Sequence, residues 1–425
     1  MNLDSRRAVE SLRAGVPNRE AVKFLGLGQP KIGNRFSKLL ETLETSPNAP
    51  STGFIIGGEF GSGKSHILQA LKSEALGRNF AASFVTISKE TPLSSLDDVF
   101  KAAIRELTLP DRRPGDLNEV ALKLEPTSEV YRAFAADLRN GNLPIDPLFA
   151  ATLLLTEKIS GNEELRDYIY AFWAGGRINT TTIKKELRHL ANPGVELGKS
   201  PKLSDLPPDR FTFASGLMRA AGYKGWIVLL DEVELIASLP LRARARSYAE
   251  LSWLLGHEDR KTSGLGVVAA ATQEFNGEIF REKQDDKKIP LSRIAERDPK
   301  LVERAVKALR VIADVKGNWE SIVAQSSGDL DRVFRDAREL YRKAFDWEGE
   351  SPKRPSDSAL KSSMRMHMRE WITRWDLERL DPTYSAHIVV ETVTPNLTER
   401  EGLEGFSEPS EIDDDINFDD PTAVM

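Results

Sequence analysis

The chain has 425 residues, with 59 Lys and Arg, 65 Asp and Glu and no cysteine, and its formal net charge is −6. A hydrophobic fraction of 40% with 29% charged residues is ordinary for a globular chain and excludes wholesale disorder, while the absence of cysteine excludes disulfides, thiolate zinc sites and cysteine nucleophiles. The apolar runs at 146–155 and 225–230 are too short to span a bilayer, and the first residues lack the pattern of a secretory signal. We therefore expect a cytoplasmic protein with no membrane partner.

Helical patterns open the chain and then give way to alternating strands and helices. Residues 1–45 are predicted as an N-terminal helical segment that is interrupted by glycine and proline turns. Residues 46–300 are predicted as an α/β core, with a helical insertion at about 108–208. The strands of this core are predicted over 53–58, 82–88, 226–232 and 265–273. Strands separated by helices are typical of a parallel, doubly wound sheet.

The last third of the chain is predicted to be helical up to an acidic end. Residues 301–395 are expected to form a C-terminal helical lid, and amphipathic helical segments are predicted over 299–312, 318–345 and 358–380. Residues 396–425 are predicted as a disordered acidic tail, because 399–425 contain ten acids and one base and leave the rest of the chain with a net charge of +3. Two roles remain open for the tail: a solubilising end, or a segment that competes with nucleic acid for a basic groove.

A phosphate-binding loop follows the first predicted strand. Residues 58–65, GEFGSGKS, match the pattern G-x-x-x-x-G-K-[ST] in full and lie between a predicted strand and a predicted helix. In this pattern, glycines let backbone N–H groups turn towards phosphates, the lysine reaches the β- and γ-phosphate oxygens, and the serine binds Mg²⁺. The sequence therefore predicts ATP and Mg²⁺ as ligands. The predicted nucleotide contacts are Gly58, Gly61, Ser62, Gly63, Lys64, Ser65 and the adjacent His66.

Two further strands end in polar residues. The strand at 226–232 ends in Asp231 and Glu232, at the edge where open parallel sheets bind their ligands. We predict that Asp231 holds Mg²⁺ and that Glu232 orients or deprotonates the attacking water. The strand at 265–273 ends in Thr272 and Gln273, and Thr272 is favoured as the catalytic residue that senses the γ-phosphate or the water.

Other polar and aromatic residues are assigned by class. Five arginines that follow these strands are candidates for an arginine finger towards a neighbouring subunit: Arg242, Arg244, Arg246, Arg293 and Arg297. Five aromatic residues of the insertion are predicted as core rather than as stacking platforms: Tyr131, Tyr168, Tyr170, Phe172 and Trp173. Five basic residues of the insertion are candidates for a track that follows nucleic-acid phosphates: Arg177, Lys184, Lys185, Arg188 and His189.

These motifs together resemble the AAA+ ATPases of the Orc/Cdc6-like initiator group. The resemblance rests on the phosphate loop, LLDE (229–232), Thr272 and SGDLDR (327–332). It implies a sensor strand between the two catalytic strands, ATP bound at the boundary with a helical lid, and activity as a homo-oligomer. The lid motif of that group reads GD-x-R. Here the arginine comes one position later, at Arg332, which is assigned as a nucleotide contact although one helical position is a rotation of ~100°.

A second resemblance covers more of the chain. The blocks RRAVESLRAGVPNREAV (6–22), GGEFGSGKSH (57–66), ISKETPL (87–93) and LLDEVEL (229–235) are similar to the BrxD-type ATP-binding proteins of BREX phage-exclusion systems. This resemblance implies an ATP-hydrolysing AAA+ subunit of a bacterial defence system that acts on DNA or with an Lhr-like helicase or other BREX components. The alternatives are an Orc/Cdc6-like initiator or loader that binds DNA, and a slow STAND-type ATP switch.

Overall fold

The fold is taken from a computed structural model. The structure describes residues 3–15, 19–46, 52–110, 115–158, 161–190, 194–258, 264–349, 354, 363–381 and 383. The predictions for the acidic tail at 396–425 lie outside these residues. Within them, no helix is both long enough and apolar enough to cross a membrane.

The molecule is a mixed α/β protein. Its strands are β1 Thr52–Gly58, β2 Ala81–Thr86, β3 Leu107–Thr108, β4 Trp226–Asp231, β5 Leu265–Thr272 and β6 Trp319–Ser321. Its helices are α1 Leu3–Ala14, α2 Arg19–Leu25, α3 Pro30–Thr45, α4 Lys64–Gly77, α5 Leu96–Arg105, α6 Leu117–Leu122, α7 Glu129–Arg139, α8 Pro147–Lys158, α9 Glu163–Trp173, α10 Thr180–Arg188, α11 Leu206–Ala220, α12 Leu241–Leu254, α13 Phe275–Gly277, α14 Asp285–Leu291, α15 Ile294–Arg297, α16 Pro299–Ala313, α17 Val315–Asn318, α18 Ser327–Phe345 and α19 Met364–Leu380. Short 3₁₀ turns at Leu203–Asp205 and Val233–Ser238 and a π-helical turn at Glu278–Glu282 connect some of them.

The sheet is mostly parallel and has the strand order β3-β2-β4-β5-β1-β6. All neighbouring strands pair in parallel except β2 and β3, which pair antiparallel at one edge. Strand β5 lies between β1 and β4, so the strand order that the AAA+ resemblance implies is confirmed. The carboxyl ends of β1, β4 and β5 consequently meet at one edge of the sheet.

Alternate residues of the central strands are buried in separate cores on the two faces of the sheet. Ile227 and Leu229 of β4 belong to a core formed with α3 and α4. Trp226, Val228 and Leu230 belong to a larger core that includes α5, α11, α12 and α16. A strand whose residues are buried on both faces reads as a continuous apolar run, which is why the sequence predicts β4 and β5 well.

The insertion is helical and continuous with the larger core. Between Thr108 and Trp226 the described residues contain helices and turns and no strand. The Phe213 ring of α11 lies 5.0 Å from the Phe149 ring and 5.1 Å from the Trp173 ring, between ring centroids. Buried Arg210 donates hydrogen bonds to Asp97 of α5 and to the Gly176 carbonyl, at 2.8 Å for the latter. The core assignment of Tyr131, Phe172 and Trp173 is confirmed, and Tyr168 and Tyr170 are partly buried against the same core.

One predicted helical segment is wrong at its start. The segment 318–345 was expected to be helical throughout, but Trp319–Ser321 form β6, which pairs with β1 at Ile55–Gly57. Without β6, β1 would be an edge strand of the sheet. Helix α18 begins only after Ser326, whose side chain accepts a hydrogen bond from Asp329 N–H while the Asp329 carboxylate accepts one from Ser326 N–H. Three strand residues carry too little periodicity to be separated from an adjoining helix.

Helices from both ends of the described chain share a third core. It contains Ala8 and Val9 of α1, Ala21 of α2, and residues of α18 and α19 such as Phe334 and Trp371. Arg13 of α1 and Asp376 of α19 form an ion pair at 2.7 Å. Helix α16, in contrast, packs on α12 and belongs to the core of the sheet.

A buried charge cluster joins α12 to α14. The Asp285 carboxylate is fully buried and accepts hydrogen bonds from Arg244 Nε at 2.8 Å, from Arg244 Nη2 at 2.7 Å and from the Tyr248 hydroxyl at 2.6 Å. Arg244 Nη1 also donates to the Leu239 carbonyl at 2.6 Å. Each charge is matched by partners, so removing one member leaves an uncompensated charge inside the protein.

We expect the substitution Asp285→Ala to lower the free energy of unfolding by about 3 to 5 kcal/mol, because it leaves the Arg244 guanidinium buried without its carboxylate partner. Urea unfolding followed by tryptophan fluorescence measures this loss. The matched control is Asp286→Ala at the adjacent exposed acid, which should change stability little. Equal effects of the two substitutions would contradict the role given to the cluster.

Candidate functional site

The polar ends of three strands line one cavity. Gly58 of β1 lies opposite Thr272 of β5 in the strand register, and Asp231 ends β4 on the other side of β5. The cavity has a volume of about 840 Å³, within the range of small-molecule sites. The predicted site residues that line it are Gly61, Ser62, Gly63, Lys64, Ser65, His66, Asp231, Glu232 and Thr272.

The phosphate loop depends on its glycines. Gly61 and Gly63 have φ values of 75° and 100°, in the left-handed region that favours glycine. Gly58 does not line the cavity but lies beneath the loop, where an added Cβ would be 2.5 Å from Ser62 Oγ. Helix α4 begins at Lys64, so the positive end of its dipole faces the cavity. Ser62 Oγ is buried and has no hydrogen-bond partner among the described residues, which leaves a free hydroxyl inside the cradle.

Lys64, Ser65 and Asp231 form the polar centre of the site. Lys64 Nζ is buried and donates to the Gly58 carbonyl at 3.1 Å and to the Glu59 carbonyl at 3.3 Å. Burial raises the pKa of the Asp231 carboxyl, and the nearby Ser65 hydroxyl and the positive charges of Lys64 and Arg365 oppose this shift.

The oxygen pair of Ser65 and Asp231 fits a magnesium ion that also binds nucleotide phosphates. Mg²⁺ prefers hard oxygen ligands and is commonly held by one or two protein ligands together with phosphates and water. The described residues contain no group of three or more His, Asp or Glu side chains that is arranged to hold a metal by itself. The site therefore suits a metal that arrives with its nucleotide rather than a resident protein-bound ion.

Glu232 has a strained backbone at the mouth of the site. Its φ is 61° and its ψ is 34°, a left-handed conformation that is uncommon for a residue with a Cβ. The Glu232 N–H donates to Asp231 Oδ1 at 3.0 Å, which helps to hold this turn. The turn leaves the Glu232 side chain exposed and facing the cavity, where a water can reach its carboxylate.

Glu234 is a cavity residue that the sequence interpretation did not identify. Its Oε2 atom is buried without a hydrogen-bond partner among the described residues. Burial raises the pKa of Glu234, and the charges of Asp231 and Glu232 raise it further, whereas Lys64 lowers it. Three more acids, Glu274, Glu278 and Glu282, line the cavity at four-residue spacing after β5. The cavity lining is therefore rich in acidic residues.

The structure brings a different arginine to the cavity from the one predicted. Arg332 does not line it. Its side chain is half-exposed and pairs with Asp329 at 3.8 Å. Arg365 of α19 lines the cavity instead, with its guanidinium 5.2 Å from the centroid of the Phe60 ring. The shifted spacing of the SGDLDR motif turns Arg332 away from the site, and no pattern in the sequence marks Arg365.

Arg365, at the start of α19, connects the phosphate loop to the end of α1. Its backbone N–H donates to the Gly61 carbonyl at 3.4 Å, and its Nη2 donates to the Gly15 carbonyl at 3.4 Å. Gly15 has a φ of 70°, in the left-handed region that favours glycine, and a Cβ there would lie 2.8 Å from Arg365 Nε. The positive charge of the Arg365 guanidinium also lowers the pKa of Asp231.

Part of the cavity lining is apolar. It comprises Leu12, Leu25, Leu27, Val333, Met364 and Met368, most of which belong to or pack against the third core. Residues 26–29, a glycine-rich turn, also line the cavity. The lining thus combines a phosphate loop with apolar side chains, and a nucleotide requires both.

His66 connects the phosphate loop helix to this glycine-rich turn. Its Nε2 lies 2.9 Å from the Gly26 carbonyl and donates to it. Burial lowers the pKa of His66, which favours the neutral imidazole. The ring therefore holds the turn against α4 without adding a charge to the site.

The five arginines that were candidates for a finger separate into two groups. Arg244 is buried and paired with Asp285, so it has a structural role. Arg242, Arg246, Arg293 and Arg297 are exposed.

The substitution Glu234→Gln should stabilise the protein in a pH-dependent way. A carboxyl group whose pKa is raised by folding destabilises the fold at pH values above that raised pKa, and this cost disappears below the ordinary carboxyl pKa. The melting temperature of the variant should therefore exceed that of the parent at about pH 8, and the gain should shrink towards about pH 5. Exposed Glu41→Gln is the control. A gain that does not depend on pH would contradict the burial of a charged Glu234.

No curated protein matches the chain in sequence. The family described as BREX system ATP-binding protein BrxC/D matches residues 2–123 and 210–281. These segments contain α1, the glycine-rich turn, the phosphate loop, β4 and β5, and they leave out most of the insertion and the C-terminal helices. The chain belongs to this family of BREX system ATP-binding proteins.

Proposed function

We propose that the chain is a Mg²⁺-dependent ATPase of the AAA+ type that hydrolyses ATP within a BREX phage-defence system. The family supports an ATP-binding role in BREX. The observation that carries the step to hydrolysis is the exposed Glu232 carboxylate, which lies next to Asp231 at the edge where the phosphate loop begins α4. A chain that only bound ATP would need the phosphate loop but no carboxylate placed for water.

Each residue has a distinct role in this proposal. The loop N–H groups and Lys64 bind the β- and γ-phosphates, while Ser65 and Asp231 hold Mg²⁺, which neutralises phosphate charge when bound. Glu232 accepts a proton from the attacking water, and Thr272 hydrogen-bonds the γ-phosphate or that water. Arg365 contributes positive charge from α19, the role first assigned to Arg332.

The quaternary and domain-level parts of the proposal follow the AAA+ resemblance. The sheet is taken as doubly wound, and the helices that share the third core with α1 are taken as the lid. Oligomers would place one of the exposed arginines, Arg242, Arg246, Arg293 or Arg297, at a neighbour's nucleotide. A slow STAND-type switch is the second candidate, because the strained left-handed backbone at Glu232 is of a kind found at switch regions as well as at active sites.

The substitution Glu232→Gln should lower the rate of ATP hydrolysis about 10²- to 10⁴-fold, because the amide cannot accept the proton from water. ATP binding should stay close to that of the parent, since Lys64 and Ser65 are intact. Steady-state phosphate release and calorimetric ATP titration measure the two quantities on the same preparations.

Lys64→Ala is the contrasting variant, which should lose ATP binding as well as turnover. Parent protein that binds ATP but shows no turnover with DNA or with other BREX components would favour the switch. Turnover that survives Glu232→Gln unchanged would contradict the assigned role of Glu232.

DNA is the proposed macromolecular partner, and the surface of α10 is its proposed contact. Lys185, Arg188 and His189 are exposed on or directly after this helix, Lys184 is partly exposed, and Arg177 precedes it. The Thr180 and Ser200 hydroxyls are 2.8 Å apart, which brings the exposed Lys199 and Lys202 beside the start of α10. Clustered cations of this kind bind the DNA backbone by releasing its counterions.

Replacing Lys184, Lys185 and Arg188 together by alanine should weaken DNA binding and reduce the slope of log affinity against log salt by roughly 2.7, at ~0.9 per phosphate contact. Fluorescence anisotropy of a labelled duplex over a salt series measures this slope. The control replaces Lys300, Lys307 and Arg310, three exposed cations of α16, and should leave the slope unchanged. Equal slopes for both variants would remove α10 from the proposal.

A further inference from the structure

A buried amide lines the cavity beside the glycine-rich turn at residues 26–29. Gln325 lines the cavity, and its Oε1 atom is buried without a hydrogen-bond partner among the described residues. Its Nε2 atom would be 3.5 Å from a Cβ at Gly28, so the amide lies against the glycine-rich turn. A buried carbonyl oxygen without a partner costs free energy unless a ligand supplies the donor.

The position of Gln325 is fixed from both sides. Two residues earlier, Val323 exchanges two hydrogen bonds with the Gln29 side chain: Gln29 Nε2 donates to the Val323 carbonyl at 2.9 Å, and Val323 N–H donates to Gln29 Oε1 at 3.1 Å. One residue later, Ser326 and Asp329 form the capping box of α18. The amide of Gln29 is therefore used for structure, whereas the chain on both sides of Gln325 is held in place and its amide oxygen remains available to a ligand.

We propose that Gln325 is the residue that reads the base of the bound nucleotide and selects adenine. This inference rests on the proposed binding of ATP with its phosphates at Lys64. A nucleotide in that orientation places its base against the apolar part of the lining, which includes Leu12, Leu25 and Met368. Gln325 Oε1 then accepts a hydrogen bond from the 6-amino group of adenine.

The chemistry of the carboxamide favours adenine. Adenine presents its 6-amino donor beside a ring-nitrogen acceptor, which matches the acceptor and donor of one amide, the pairing that Asn and Gln use towards adenine in DNA. Guanine has a carbonyl acceptor at position 6. It would place two acceptors against each other at Oε1 and leave the buried atom without a donor.

The test is a double-mutant cycle between the side chain and the base. Full-length parent, Gln325→Met and Gln325→Ala are each titrated with Mg-ATP and with the triphosphate of purine riboside, which has the same ring without the 6-amino group. The parent should bind ATP about tenfold more tightly than the purine riboside triphosphate, and both variants should bind the two ligands within about twofold of each other. Gln69→Met on α4, a partly buried glutamine outside the cavity lining, should keep the ratio of the parent.

The outcomes separate the base-reading inference from the proposed ATP site. ATP binding by the parent with a ratio near one, or a ratio that persists in both Gln325 variants, would overturn the role of Gln325 and leave the ATP site intact. If the parent binds neither triphosphate, the proposed ATP site itself fails, and the base-reading inference falls with it. ATP binding by the Gln325→Met and Gln325→Ala variants in the same titrations shows that both are folded.

Discussion

The site depends on the register of three parallel strands. The carboxyl ends of parallel strands meet at one edge of a sheet, and the pairing of Gly58 with Thr272 and of Leu230 with Ala269 fixes the ends of β1, β4 and β5 relative to one another there. A phosphate loop that leaves β1 must then enter α4 next to Asp231, which is why Ser65 reaches that carboxylate. The two cores on the faces of the sheet hold this register, because a slip by one residue would exchange their contents.

The cavity is completed by the two ends of the described chain. Helices α1 and α2 supply Leu12 and Leu25, and α18 and α19 supply Val333, Met364 and Met368. The same helices share a core of their own, and Arg365 connects them to the phosphate loop through Phe60 and Gly61. A nucleotide in this cavity would contact the sheet at its phosphates and the helical unit at its base, so binding would tie the two together.

The parts of the site that the sequence predicts are those encoded locally. Lys64, Ser65, Asp231 and Glu232 follow apolar strands at fixed spacing, and a motif with a strand before it and a helix after it specifies where its side chains lie. Arg365 approaches Gly15 across 350 positions of sequence, and Gln325 approaches Gly28 across about 300. Such approaches are set by the packing of whole helices, and a single sequence carries no local pattern for them. The same limit explains the misassigned start of the 318–345 segment, since β6 is a strand only because β1 offers it an unpaired edge.

Hydrogen exchange with and without Mg-ATP tests most directly whether the nucleotide lies between the phosphate loop and the helices from both chain ends. Amides in α1 and α19 should gain protection together with those in the first turn of α4, because ordering a cavity lowers local opening on all sides of it. Protection confined to the phosphate loop and α4, with α1 and α19 unchanged, would contradict a site that both chain ends complete.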